Sequence, residues 1–367
     1  MRKQALKLGV LSDYRAVCYG FCAVWIVLFH ARNVGCDFSF GIQGLSGINT
    51  VLSLGNYGVD IFLLLSGVSC YFSWCRRRDS GLFLKRRLMR IVPAVLLICG
   101  SFWAIWVLAG EMHWTRLLYN ATLVLPIFSD GSQGIWYVAA TLMLYAAYPY
   151  IHAVIYGIEE GYSERHMLSR TIMLCVSVLF SFWMLHKYNP SLFKKIEIMV
   201  ARIPTFCIGA YLGHFVKERK VFGSSAWLCV MIASAVYSIY AVLALHWVEH
   251  SYWWWRVTMI PGGVIGSLLV CGMFSLLDGI CFVKPIMAFF RMTGGFSLEL
   301  YVAHIMCFWS RGLIPPIGDS VATALVLSCL SWVIAYLANR ALYVWFDGGV
   351  VSLLGKNRRP ALHVCLP

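Results

Sequence analysis

Apolar residues in this chain fall in long unbroken blocks, not at every second position or along a single helical stripe. Ten such blocks cover roughly 16–34, 51–74, 90–109, 134–157, 171–187, 197–215, 225–247, 255–279, 296–313 and 320–343. Each approaches the ~20 residues a helix needs to cross the hydrocarbon layer. Backbone in lipid must satisfy its own hydrogen bonds, so blocks of this length predict helices. The expected fold is all-α, a polytopic transmembrane helical bundle of about ten spans. The segment 116–128 is apolar but shorter than a crossing requires, and an interfacial or re-entrant placement is expected.

Composition agrees. Sixty per cent of residues are hydrophobic, 13% are charged, and mean hydropathy is +0.74, which excludes an ordinary soluble domain. The net charge of +14 would suit a nucleic-acid binder. Here, however, the basic residues gather between apolar blocks, and no nucleic-acid partner is expected. Counted over ten spans with the N-terminus inside, 22 Lys and Arg lie on the cytoplasmic side and 7 outside. If 116–128 crossed, the division would be 16 to 13. The bias predicts ten spans with both termini cytoplasmic. The basic N-terminus leads into an apolar run with no small-residue cleavage site, so a retained first span is expected and not a signal peptide. The chain reads as one integral-membrane domain, 1–367, with a core over about 15–343 and a short basic tail over 344–367. No internal repeat and no appended soluble domain are apparent.

The 14 cysteines lie mostly within apolar blocks, with no CxxC pair and no zinc-type spacing. They read as small packing residues, and no metal is expected.

Against this apolar background a few polar residues stand out. Asp60 lies inside the second block, where a carboxylate costs ~2.5–3.5 kcal/mol on insertion scales and marks a functional candidate. His30 lies near the outer end of the first block. It reads either as a general acid–base group or as a helix-end histidine bonded to a carbonyl. If the two meet, Asp60 would orient the His30 ring; otherwise it pins helices together. Arg15 opens the same helix, about 60° around from His30, and reads as pore lining or as a snorkelling anchor. Arg76, Arg77, Arg78, Lys85, Arg86, Arg87 and Arg90 crowd the entry to the third block. Arg86, Arg87 and Arg90 would share one helix face. Seven cations in fifteen residues exceed what orientation needs and favour an anionic ligand, since Arg bonds phosphate bidentately. Arg202, Glu299 and His304 are further buried candidates. Glu299 and His304 would point about 140° apart and would not form one acid–base pair. Trp136 and Tyr137 read as site lining or aromatic belt, and Trp253, Trp254 and Trp255 as belt.

Several segments together resemble the integral-membrane acyltransferase 3 family, whose members include bacterial O-acetyltransferases of surface polysaccharides. GFCAVWIVLFHA resembles its opening helix with the terminal histidine, and GVDIFLLLSG followed by KRRLMRIVPA is the most specific match. GIWYVAATLMLYAAYP, RIPTFCIGAYLG and SLELYVAH follow in family order. Members often carry an Arg eleven residues before the histidine. Tyr19 stands there, with Arg15 one turn earlier as a possible replacement. The extracytoplasmic esterase-like domain of some members is not expected.

The resemblance implies a membrane-bound O-acyltransferase. Acetyl-CoA would be the donor substrate, held by Arg15, Lys85, Arg86, Arg87 and Arg90, with no resident cofactor. His30 would act as base or acyl relay, supported by Asp60. Trp136, Tyr137, Arg202, Glu299 and His304 would line the site. The acceptor would be a hydroxyl of a lipid-linked or surface glycan outside the plasma membrane. The competing reading is a proton-coupled transporter with Asp60, His30 and Glu299 as its relay. It accounts less well for the massed cations at one helix start.

Overall fold

A computed structural model describes residues 6–33, 37–39, 46–130, 134–157, 161–247, 253–313 and 321–345. In chain order the helices are α1 (Val10–Asp13), α2 (Arg15–Asn33), α3 (Ser46–Ser53), α4 (Tyr57–Arg76), α5 (Ser80–Leu108), α6 (Trp114–Ala121), α7 (Leu125–Asp130) and α8 (Trp136–Tyr156). They continue as α9 (Glu164–Tyr188), α10 (Pro190–Val200), α11 (Ile203–Lys217), α12 (Ser224–Trp247), α13 (Trp253–Leu277), α14 (Lys284–Gly295), α15 (Ser297–Trp309) and α16 (Val321–Trp345). Among the described residues the one strand pairing is short and antiparallel, Leu6–Lys7 with Val221–Phe222. The all-α class is as expected.

Nine helical stretches among the described residues are long and apolar enough to cross a membrane. They coincide with nine of the ten expected blocks. The block at 296–313 differs, because α15 has 13 residues and is preceded by a break at Phe296. The expected block starts at that break; the difference is in length, because the α-helix ends at Trp309 and Ser310–Leu313 is a 3-10 turn. The short apolar segment at 116–128 is split between α6 and α7, with Leu123 in the left-handed region at φ 62° between them. The expected tail lies, from residue 346 onward, outside the described residues, as do the side chains of Trp253, Trp254 and Trp255.

Two glycine crossings place the functional helices. Without a hydrophobic drive between helices in lipid, close backbone approach over small residues supplies the packing energy. A Cβ on Gly67 would run into the Phe206 carbonyl, and one on Gly209 into the Leu64 carbonyl, so α4 and α11 touch backbone to backbone. Gly20 and Gly294 do the same for α2 and α14, against Phe290 and Ala16. As a result α4 is the axis of the molecule: nearly every residue from Tyr57 to Tyr71 is buried. By contrast α9 is mostly exposed, and its apolar side chains present a lipid-facing surface.

Local chemistry sets the helix ends that matter. The Asp79 carboxylate accepts the Leu82 amide at 2.9 Å and starts α5, satisfying one of the orphan N–H groups of the first turn. Pro204, in the first turn of α11, has no N–H and disfavours continuation from α10. The chain therefore breaks at Ala201–Arg202, inside a stretch that reads as one span. Arg202 turns inward, and its Nη1 donates to the Ile198 carbonyl of the last α10 turn at 3.0 Å.

Candidate active site

The cationic cluster divides on folding. Arg76, Arg77, Arg78, Lys85 and Arg86 are exposed, whereas Arg87 and Arg90 turn into the bundle. The expectation that Arg86, Arg87 and Arg90 share a working face is therefore corrected. One residue is 100° of rotation on a helix, which is enough to place Arg86 outside. Arg87 stacks over Tyr145 at 4.9 Å and Phe83 at 5.5 Å, and its Nη2 donates to the Ser69 carbonyl at 3.3 Å. Arg15 reaches the same residue, with Nη1 donating to Ser69 Oγ at 2.9 Å. Two cations from separate helices thus converge on one turn of α4.

Arg90 grips Glu299 with both nitrogens, at 2.6 and 3.0 Å, in the bidentate geometry that guanidinium and carboxylate favour. Asn339 Nδ2 donates to the same carboxylate at 3.1 Å, so α5, α15 and α16 are tied at one point. Arg87 and Arg90 also line a cavity together with Tyr19, Ser66, Tyr137, Thr141 and Tyr145. Tyr19, at the position where the family often has Arg, is on its wall.

From this cavity aromatic rings run in contact to His30. Tyr137 lies 5.0 Å from Tyr301, Tyr301 lies 5.5 Å from His304, and His304 lies 5.0 Å from His30, centroid to centroid. Tyr301 donates to the Gly134 carbonyl at 2.8 Å. One face of the short helix α15 thus carries Tyr301 and His304 along the path from the cavity, while Glu299 fixes its start. Arg15 and His30, 15 residues apart on α2, mark the two ends, about 22 Å of helix rise.

Asp60 belongs to a different cluster. Arg202 Nε lies 3.2 Å from one Asp60 oxygen and 3.3 Å from the other. Its Nη2 donates to Asn56 Oδ1 at 3.2 Å, and its guanidinium lies 4.9 Å over the Trp136 ring. Of the two readings of Asp60, the pair with Arg202 is the helix-pinning one, joining α4 to the start of α11. The ion pair of Asp60 is with Arg202, whereas the rings packed on His30 are those of Phe29 and His304. Sequence depth alone could not separate these, because it carries no rotation. Arg202 and Trp136 serve this cluster, so neither lines the cavity. Trp136 and Tyr137 are both buried within the protein, which removes the belt reading. Glu299 and His304 diverge as their spacing requires.

Ser69, Tyr145 and Asn339 were not singled out from sequence. A signal existed for Tyr145: Tyr137, Thr141, Tyr145, Tyr148, His152 and Tyr156 recur at three- and four-residue spacing along α8, a polar-aromatic stripe on one helix face. Ser69 and Asn339 gave no such signal, being single small polar residues in apolar runs.

Nine long apolar helices among the described residues, with an arginine-edged cavity between some of them, make this an integral-membrane protein with a candidate site in its core. A family model described as an acyltransferase domain, Acyl_transf_3, matches residues 20–340. The chain belongs to the acyltransferase 3 family and is a membrane acyltransferase. No curated protein and no solved structure matches it.

Proposed function

We propose that the protein moves an acetyl or other short acyl group from cytoplasmic acyl-CoA to a hydroxyl of a surface or lipid-linked glycan at the outer side of the plasma membrane, both termini being cytoplasmic. The observation that carries this reading is the continuity between two chemistries. An arginine-edged cavity stands at one end, and ring contacts through Tyr137, Tyr301 and His304 lead to His30 at the other. A polyanionic donor with a long flexible arm suits that layout. Its phosphates would meet Arg15 and Arg87, and its thioester would enter between the rings.

His30 then takes the proton of the acceptor hydroxyl. The hydroxyl oxygen attacks the thioester carbonyl, the carbon–sulfur bond breaks, and the thiolate leaves with the proton from His30. A transporter relay through Asp60, His30 and Glu299 fits less well, because two of its members are committed to separate arginines, Arg202 and Arg90.

Membranes containing the full chain should consume labelled acetyl-CoA, and the glycan they carry should gain the mass of an acetyl group. Absence of acetyl-CoA binding and turnover in purified, folded protein would overturn the assignment.

A further inference from the structure

His304 is fully buried, and its Nδ1 lies 3.0 Å from the Leu300 carbonyl oxygen. A carbonyl can only accept, so Nδ1 carries the hydrogen, and in the neutral ring Nε2 is then a bare lone pair. That Nε2 is buried with no hydrogen-bond partner among the described residues. An acceptor held this way forfeits about 1–3 kcal/mol, and such a group calls for an explanation. The helix that carries it is anchored on both sides of the path: Glu299 is held by Arg90 and Asn339, and Tyr301 is held by Gly134. Of the rings packed on His304, the closest is that of His30, at 5.0 Å.

Resting on the acyl-transfer reading of His30, we infer that His304 is its positioning residue. In the substrate-bound state Nε2 of His304 accepts the N–H of His30, as bonds that are long in a free enzyme tighten when substrate binds. This fixes the His30 tautomer and aims its other nitrogen, as a lone pair, at the acceptor hydroxyl. The hydroxyl proton moves to that nitrogen and then to the departing thiolate. His304 keeps its own proton on Nδ1 throughout.

Two isosteric substitutions separate this role from a structural one. The amide of His304→Asn reaches the place of Nδ1 and can bond the Leu300 carbonyl. The amide oxygen of His304→Gln reaches the place of Nε2. In membrane vesicles from cells producing the full chain, with labelled acetyl-CoA as probe, the Gln variant should keep kcat within about 10-fold of the unmodified protein. The Asn variant should lose about 100-fold or more. The donor KM should stay within about 3-fold in both, since the arginine contacts that hold phosphate lie at the other end. Asn equal to or better than Gln would overturn the inference, as would unmodified rates in both. His30→Ala run in parallel separates the two failures. A fully active His30→Ala removes the reading of His30 itself. An inactive His30→Ala, with Gln and Asn alike, removes only the role of His304.

Discussion

Among the described residues, two arginine–carboxylate pairs have a fully buried carboxylate, and their settings differ. Arg202 and Asp60 are 1% and 0% exposed, and the guanidinium is further committed to Ile198, Asn56 and the Trp136 face. Arg90 and Glu299 are 36% and 0% exposed, and the arginine forms an edge of the cavity. The same chemistry thus yields a sealed pin in one place and a presented cation in the other. A sealed pair offers little to a ligand, because each nitrogen of the guanidinium already has a protein partner. A pair on a cavity wall keeps the arginine placed and leaves part of it accessible.

The largest effect should come from breaking the sealed pair. Asp60→Ala would leave Arg202 buried without its carboxylate, a loss expected at about 3–5 kcal/mol, read as a large fall in the thermal midpoint in detergent. The double variant Asp60→Leu with Arg202→Met should recover most of it, because apolar residues of similar volume often replace a buried pair at little cost. A double variant as unstable as the single would show that the charges have a role beyond pinning.

Arg90→Gln should lower the thermal midpoint less than Asp60→Ala does, because its side of the pair is only partly buried. It should also raise the donor KM, which distinguishes it from the sealed pair. Arg87→Gln should act on the donor alone. Loss of one charge-assisted bond, about 1.5–3 kcal/mol, predicts a donor KM raised about 10-fold or more, with little change in thermal midpoint. Lys85→Ala and Arg86→Ala, on the exposed side, should change donor KM by about 2-fold or less, and by less again at high salt, where exposed charges are screened. Effects of Arg86→Ala matching those of Arg87→Gln would erase the division of the cationic face.

The comparison also shows what one-dimensional pattern can carry. The positions of nine apolar spans, the all-helical class and the presence of buried charge at Asp60 and Glu299 are legible in the sequence, because a charge within an apolar block is visible without structure. Partnership is not. Asp60 and His30 lie at comparable depths by counting, yet the rotational position of Asp60 on α4 turns it towards Arg202. Arg202 itself points inward because Pro204 breaks the helix beside it. Centrality is equally hidden: α4 and α9 are both apolar enough to cross, but only α4 has glycines that let a second backbone approach and cover it. Helix α14, in a stretch that reads as a loop between two blocks, is hidden for a related reason. Gly294 is used there for contact with Ala16, a long-range event that hydropathy does not record.

Single-turnover transfer from labelled acetyl-CoA, with unmodified protein beside His30→Ala, tests whether His30 carries the transfer. Both proteins should bind acetyl-CoA, since Arg15 and Arg87, proposed to meet its phosphates, are intact in each. Transfer should fall about 100-fold or more in His30→Ala. Transfer by His30→Ala at the unmodified rate would contradict that role.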